Sequence, residues 1–221
     1  MTHGLAYDLS HLLGGVILVL SFALLSQRRL ASVINIYALQ AIVLAAAALW
    51  QGWAQGAAEL YVTAAITLAA KGVLIPAALH RIMRRLQLHR AVETALGVFP
   101  SMVLGVAFVA LAVLVVLPTT AQSQTLARED LALALSVVLL GLLMMITRRS
   151  ALTQVIGFMS LENGLILAAI GITGLPLLVE LAVAFLILLA AIVFGVFFFR
   201  IRDRFDSLDV GHLDVVGRTH L

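Results

Sequence analysis

The sequence predicts an all-α integral membrane protein with seven transmembrane helices. Of its 221 residues, 63% are hydrophobic and only 11% are charged, whereas a soluble domain is about half apolar and a quarter charged. The apolar residues form runs of about 20, the length that crosses the hydrocarbon core of a bilayer. The basic residues lie mainly at the ends of these runs, which is how membrane topology is encoded.

The same composition excludes several classes of function. A net charge of +3 does not indicate nucleic-acid binding here, because the positive charges flank apolar runs. The chain has no cysteine, so it cannot hold thiolate-bound iron–sulfur clusters or cysteine-ligated nickel or zinc. It shows no phosphate loop, no nucleophile arrangement and no metal-ligand spacing. We therefore predict no catalytic residue and no cofactor in this chain, and expect any redox chemistry on a partner.

Each predicted helix is an apolar run bounded by polar residues, proline or glycine. The first run lacks the positive flank of a secretory signal, so it is predicted to be a retained helix. The uncharged core of the fifth (131–147) is barely long enough to cross the bilayer, unless the helix tilts little or recruits the preceding turn. The predicted helices span 8–26, 31–50, 59–81, 94–117, 129–147, 152–172 and 176–200.

The arginines predict the orientation of these helices. Almost all of the 14 basic residues lie in alternate loops and in the tail, which leaves Arg128 on the opposite side and Lys71 within a helix. The positive-inside rule then places the N-terminus outside and the C-terminus in the cytoplasm. The cytoplasmic group is Arg28, Arg29, Arg81, Arg84, Arg85, Arg90, Arg148, Arg149, Arg200, Arg202, Arg204 and Arg218.

Two parts of the chain resemble each other. RRLASVINIYALQ (28–40) resembles RRSALTQVIGFMSLE (148–162), and ELYVTAAITLAAK (59–71) resembles ELAVAFLILLAAI (180–192). A single helix between the copies makes them parallel repeats. The predicted organisation is a first three-helix repeat with a basic loop (1–93), a linking helix (94–128), a second three-helix repeat (129–200) and a cytoplasmic tail (201–221).

The copies differ at their polar positions. Gln40 corresponds to Glu162, and Lys71 corresponds to an isoleucine, whereas Glu59 and Glu180 correspond to each other. Neither copy carries the full polar set, so we expect the two copies to act together. Ordinary drift after a duplication is the alternative explanation.

The candidate site consists of the polar residues within the predicted helices. At about 1.5 Å per residue, Lys71, Glu162 and Gln40 lie near the middle of the bilayer, and Glu180 lies about one turn below the outer surface. Charged side chains at such depth are costly and mark ion or proton pathways. The residues Glu162, Lys71, Glu180, Gln40 and Glu59 are therefore candidates for proton translocation. A buried Lys71–Glu162 ion pair that only holds the helices together is the alternative.

Two helices carry further patterns. In the third, Glu59, Thr63, Thr67 and Lys71 follow at four-residue steps, and Pro76 is expected to interrupt the helix beside the lysine. In the sixth, a face of small residues is suited to close packing and points away from Glu162. That face consists of Gly157, Ser160 and Gly164. The six histidines lie near helix ends, in loops or in the tails, and are assigned no role.

The chain resembles the HyfE family, the membrane component E of hydrogenase-4 and formate hydrogenlyase complexes, whose last three helices are similar to the NuoK subunit of respiratory complex I. The segments that carry the resemblance are AAKGVLIP (69–76), GFMSLENG (157–164), LPLLVEL (175–181) and SLDVGHL (207–213). These segments occur in the order of the family, and the resemblance as a whole covers most of the chain.

The resemblance implies a non-catalytic subunit in a bacterial cytoplasmic (inner) membrane. Its partners would be antiporter-like and hydrogenase-anchoring membrane subunits, with a soluble nickel–iron hydrogenase module and its iron–sulfur clusters on the cytoplasmic side. Glu162 occupies the position of a proton-conducting glutamate of NuoK. The second such position falls at Ala191 or Ile192, so Lys71 is expected to supply the missing charge. A NuoK-like subunit of a multisubunit cation/proton antiporter and a purely structural linker are the alternatives.

Overall fold

A computed structural model describes residues 2–85, 96–119 and 125–171. In these ranges the chain is helical apart from the short connections between helices, and it forms no strand. The predicted helix 176–200, the segment 180–192 with Glu180, and the tail 201–221 lie outside the described residues. The helices are α1 (Thr2–Ser26), α2 (Leu30–Gln55), α3 (Ala58–Ile66), a π-helix (Thr67–Leu74), α4 (Ile75–Arg85), α5 (Val98–Thr119), α6 (Thr125–Thr147) and α7 (Ala151–Ile170).

Six helical stretches in the described ranges are long and apolar enough to cross a membrane. One of them is the continuous unit of α3, the π-helix and α4. These stretches confirm the all-α membrane class and match the first six predicted spans. They are Asp8–Ser26, Leu30–Gln55, Ala58–Arg84, Val98–Val116, Glu129–Thr147 and Ala151–Ile170.

Several helix ends differ from the prediction for local reasons. Helix α2 continues to Gln55 and stops at Gly56, whose φ of 67° suits a glycine C-cap, and whose N–H bonds to the Gly52 carbonyl. Helix α5 begins at Val98 rather than at residue 94, with a proline in its first turn, where no backbone N–H is needed. Helix α6 begins at Thr125 and thereby gains the preceding turn that the prediction required.

Four helices form the centre of the bundle. Helix α2 packs against α1 and α7, and α6 packs against the same two helices, so the four enclose a common core. The unit from α3 to α4 lies against α2, and α5 lies against α6 and α1. The core side chains are mostly apolar, and they include Ile17, Leu44, Val137, Leu140 and Ile156.

Helices α6 and α7 approach closely because glycines line their contact. A Cβ atom added to Gly157 would lie 3.0 Å from the Met145 backbone nitrogen, and one added to Gly164 would lie 2.8 Å from that of Val138. Gly141 is the tightest position, since its added Cβ would lie 2.5 Å from the Leu161 nitrogen. The small-residue face predicted on α7 is therefore confirmed as a packing surface.

The substitution Gly141→Ala should destabilise the protein, by about 1–3 kcal/mol, because the new methyl group meets backbone that cannot move aside. The free energy of unfolding in detergent measures this effect. Gly15→Ala is the matched control, since a Cβ at Gly15 meets nothing within 4 Å. Equal stability of the two variants would contradict the close contact.

Arg148, in the turn between α6 and α7, is buried and holds the end of α1. Its Nη2 donates to the carbonyl of Leu24 at 3.0 Å and to that of Leu25 at 2.8 Å. The last carbonyls of a helix lack partners within it and carry partial negative charge, which a cation stabilises. Burial lowers the pKa of the Arg148 guanidinium from its ordinary value, but arginine remains charged in proteins. The turn and α1 are thus held together electrostatically.

We expect Arg148→Gln to lower the free energy of unfolding by about 2 kcal/mol, since a charged donor to two buried carbonyls is lost. The neighbouring Arg149 is exposed, and Arg149→Gln should leave stability unchanged. Unfolding of both variants in the same detergent provides the comparison, and a similar loss in each would rule out the role assigned to Arg148.

The two ends of the bundle differ in composition. Exposed arginines lie at the starts of α2 and α7 and near the end of α4, and we call this side the arginine end (Arg28, Arg29, Arg81, Arg84 and Arg149). At the opposite end, α2 carries Trp50 and Trp53, whose ring centroids are 5.1 Å apart. Tryptophan is enriched at membrane–water interfaces.

Candidate functional site

A network of buried polar side chains crosses the bundle between α1, α2, α7 and the π-helix. Each of these elements is apolar over most of its length, so each polar group must find its partner on another helix. All the members are at most 4% exposed. They are Ser21 on α1, Gln40 on α2, Lys71 on the π-helix, and Glu162 and Asn163 on α7.

The charged members form an ion pair. Nζ of Lys71 lies 3.0 Å from Oε1 of Glu162. The contact is electrostatic rather than a well-directed hydrogen bond, since neither carboxylate oxygen accepts a bond of good geometry from the described residues. Each charge would be costly to bury alone, so each stabilises the other.

The neutral members extend this pair across the bundle. Lys71 Nζ donates to Asn163 Oδ1 at 3.1 Å, and Asn163 Nδ2 donates to Gln40 Oε1 at 3.2 Å. Gln40 Nε2 then donates to the Ser21 hydroxyl at 2.8 Å, which in turn donates to the Ile17 carbonyl. A continuous line of hydrogen bonds therefore connects the lysine with α1.

The lysine lies on an irregular part of its helix. The π-helix Thr67–Leu74 ends just before Ile75 and Pro76, so the predicted interruption takes the form of a wider turn. In an α-helix, residues four apart turn gradually around the helix axis, so a row of them leaves one face. A π-helix has more residues per turn because its hydrogen bonds span five residues, and this turns such a row back toward the face it started from. Accordingly, Thr63, Thr67 and Lys71 all lie on the buried face.

The structure brings together three of the five predicted site residues, Glu162, Lys71 and Gln40. The fourth, Glu59, is exposed in the first turn of α3 and takes no part in the network. It lies apart from this buried cluster, because a glutamate near a helix start can remain in the polar surface region, and its predicted role in proton translocation stays a prediction. Glu180, the fifth, lies outside the described residues. The role of the three clustered residues in proton translocation stays a prediction.

Sequence reasoning missed the groups that connect the predicted residues. Asn163 directly follows Glu162 in an apolar helix, and an amide at that depth is itself a signal of an interhelical hydrogen bond. Ser21 carries a weaker signal, because a serine can bond to its own helix, as this one also does.

His11, for which the sequence predicts no role, contacts acidic residues of another helix. His11 lies within α1, where Nδ1 is 3.1 Å from Asp130 Oδ1 and Nε2 is 3.4 Å from Glu129 Oε2. These contacts join α1 to the start of α6, far from the polar network. Within the described ranges, no group of three or more His, Asp or Glu side chains is arranged to hold a metal ion.

The energetics of the ion pair can be tested directly. Lys71→Met should destabilise the protein by about 3–5 kcal/mol, since it leaves a buried carboxylate without its cation. The double variant Lys71→Met, Glu162→Met should recover most of this loss, because it buries no charge. The unfolding free energies of Lys71→Met, Glu162→Met and the double variant, compared with that of the unaltered protein, form a double-mutant cycle. Additive losses would mean that the two side chains do not interact.

The fold and the network define a polytopic α-helical membrane protein with a buried ion pair, whose lysine is hydrogen-bonded to a line of polar side chains. A comparable chain occurs in Mycobacterium tuberculosis: the uncharacterized protein Rv0085 is 28% identical over 202 residues, which cover 90% of this chain and 91% of the relative. The similarity therefore extends over nearly the whole of both proteins. No family model matches the chain, and no solved structure matches it.

Proposed function

We propose that this chain is a non-catalytic membrane subunit of a complex I-like group 4 nickel–iron hydrogenase, of the hydrogenase-4 or formate hydrogenlyase type. In that complex it contributes to proton translocation and to its coupling with hydrogen-evolving redox chemistry. The observation that carries the proposal is the Lys71–Glu162 ion pair, with its line of hydrogen bonds to α1. The segment GFMSLENG, on which the HyfE resemblance depends, contains both network residues of α7.

The chemistry of the pair suits proton transfer. Protonation of Glu162 removes the negative charge that holds the Lys71 ammonium group, so proton occupancy and lysine position depend on each other. Asn163 contacts the same ammonium group, and it can retain the lysine when the carboxylate is neutral. A change in the protonation of Glu162 therefore affects Lys71 and, through the Asn163 amide that both contact, Gln40.

The proposal includes an orientation. The arginine end faces the cytoplasm, in keeping with the positive-inside rule, and the tryptophans of α2 lie at the outer interface. The membrane is then the cytoplasmic membrane of a bacterium, with the soluble nickel–iron module on the arginine side.

The proposal also retains the parallel repeat and the seventh helix. Helices α1 and α2 pair with each other as α6 and α7 do. The helices that correspond between the proposed copies also pack together, α1 with α6 and α2 with α7. This pairing is what two copies related by an axis along the membrane normal would produce. Lys71 from the first copy and Glu162 from the second then form one site.

The substitution Glu162→Gln in the intact complex tests the function. We expect hydrogen evolution to continue while most of the protons pumped per hydrogen are lost, because the amide cannot take up a proton. Hydrogen evolution and proton uptake by vesicles are measured side by side. Asp8→Asn is the control, since Asp8 is exposed and belongs to no part of the network, so this variant should leave the ratio unchanged. An unchanged ratio in Glu162→Gln would remove this residue from the path.

The identity of the complex is tested by the chains that co-purify with this one. A large subunit with nickel-binding cysteine pairs is expected. Antiporter subunits without such a partner would instead indicate the multisubunit cation/proton antiporter. The structural-linker alternative predicts that Glu162→Gln reduces the amount of assembled complex, with the pumping ratio intact in what assembles.

A further inference from the structure

Three buried oxygen atoms at the network have no hydrogen-bond partner of good geometry among the described residues. They are the hydroxyl of Tyr37 and the two carboxylate oxygens of Glu162; Oε1 faces the Lys71 ammonium group, which leaves the Tyr37 hydroxyl and Oε2. Tyr37 is 0% exposed and Glu162 is 4% exposed. The two residues lie on α2 and α7, which pack against each other and are joined by the hydrogen bond between Asn163 and Gln40. Tyr37 precedes Gln40 by one helical turn, and Glu162 directly precedes Asn163. Tyr37 and Glu162 therefore lie at neighbouring levels of the contact between α2 and α7.

Packing alone does not account for the hydroxyl of Tyr37. A phenylalanine would fill the same space without burying a polar group, and an unsatisfied buried hydroxyl is destabilising. The hydrogen bonds that the network amides donate go elsewhere, from Asn163 to Gln40 and from Gln40 to Ser21, and the Tyr37 hydroxyl has no partner among the described residues. Buried polar groups that lack a protein partner are typically served by ordered water, which needs at least two polar contacts.

We propose that Tyr37 and Glu162 bind one water molecule between α2 and α7. The Tyr37 hydroxyl donates to the water oxygen, and the water donates to Oε2 of Glu162. Tyr37 lies one turn closer to the arginine end than Gln40 does. The water therefore lies on the arginine side of the Lys71–Glu162 pair.

The water site gives the network a point at which a proton can be exchanged. This role of the water rests on the proposed function. The line from Lys71 through Asn163 and Gln40 ends on a backbone carbonyl of α1, which cannot pass a proton on. The water is then the point at which Glu162 exchanges its proton. A hydronium ion at this position breaks one O–H bond as Oε2 forms one, which leaves neutral water and a carboxylic acid. Tyr37 keeps its own proton throughout and acts as a positioning residue for the water.

Hydroxyl-radical labelling tests the water without reference to pumping. The full-length chain in lipid nanodiscs is irradiated with X-rays in ¹⁸O-water, and oxidised residues are identified by mass spectrometry. Bound water generates radicals in place, so Tyr37 should incorporate ¹⁸O although it is fully buried. Met144 is the dry control, because it is 1% exposed and methionine is readily oxidised. Absence of label at Tyr37, or equal label at Met144, would overturn the water site.

The role of the water is tested in the intact complex with Tyr37→Phe. We expect several-fold fewer protons pumped per hydrogen and an unchanged amount of assembled complex. Tyr61→Phe makes the same change at an exposed tyrosine and should have no effect. Labelled Tyr37 with an unchanged pumping ratio in Tyr37→Phe would overturn the exchange role. Failure of the proposed function is seen separately, as an unchanged ratio in Glu162→Gln.

Discussion

The burial of the Lys71 ammonium group opposite the Glu162 carboxylate is the constraint on which the rest of the structure depends. In an apolar bundle neither charge is tolerable alone, so the two helices that carry them must be held at a fixed distance and rotation. The π-helix turns Lys71 toward α7. Asn163 accepts a hydrogen bond from Lys71 and donates one to Gln40, which connects the ion pair to α2. The π-helix therefore serves to direct the Lys71 ammonium group toward Glu162.

The packing of α7 makes this arrangement possible. Its glycine face lies directly against α6, which leaves the opposite face, with Glu162, directed at α2 and the π-helix. At the turn before α7, Arg148 binds the last carbonyls of α1. At the other end of α7, Gln55 of α2 donates to the Ile170 carbonyl at 3.1 Å. The helix carrying the site is therefore held along one face and at both ends.

A rigid frame around a few titratable groups is what proton transfer requires. The transferred proton moves only between groups in hydrogen-bond contact, and a helix shift of about one ångström would separate them. The chain has no cysteine, so in the proposed complex the redox centres belong to partner subunits. Coupling would then act through the helices that position Lys71 and Glu162. The ion pair is suited to such coupling, because the position of Lys71 depends on whether Glu162 is protonated.

The sequence by itself determined the class of the protein, its first six spans and the common level of Gln40, Lys71 and Glu162 along their helices. These properties follow from the length of apolar runs and from helical periodicity, which are local. Only the tertiary structure decided that Asn163 connects the lysine to Gln40, that Arg148 is buried, and that Glu59 is exposed outside the buried network. Periodicity gives the face on which a residue lies but not the helix that this face meets. The choice of partner depends on the packing of several helices at once, and so does the buried position of Tyr37 beside Glu162.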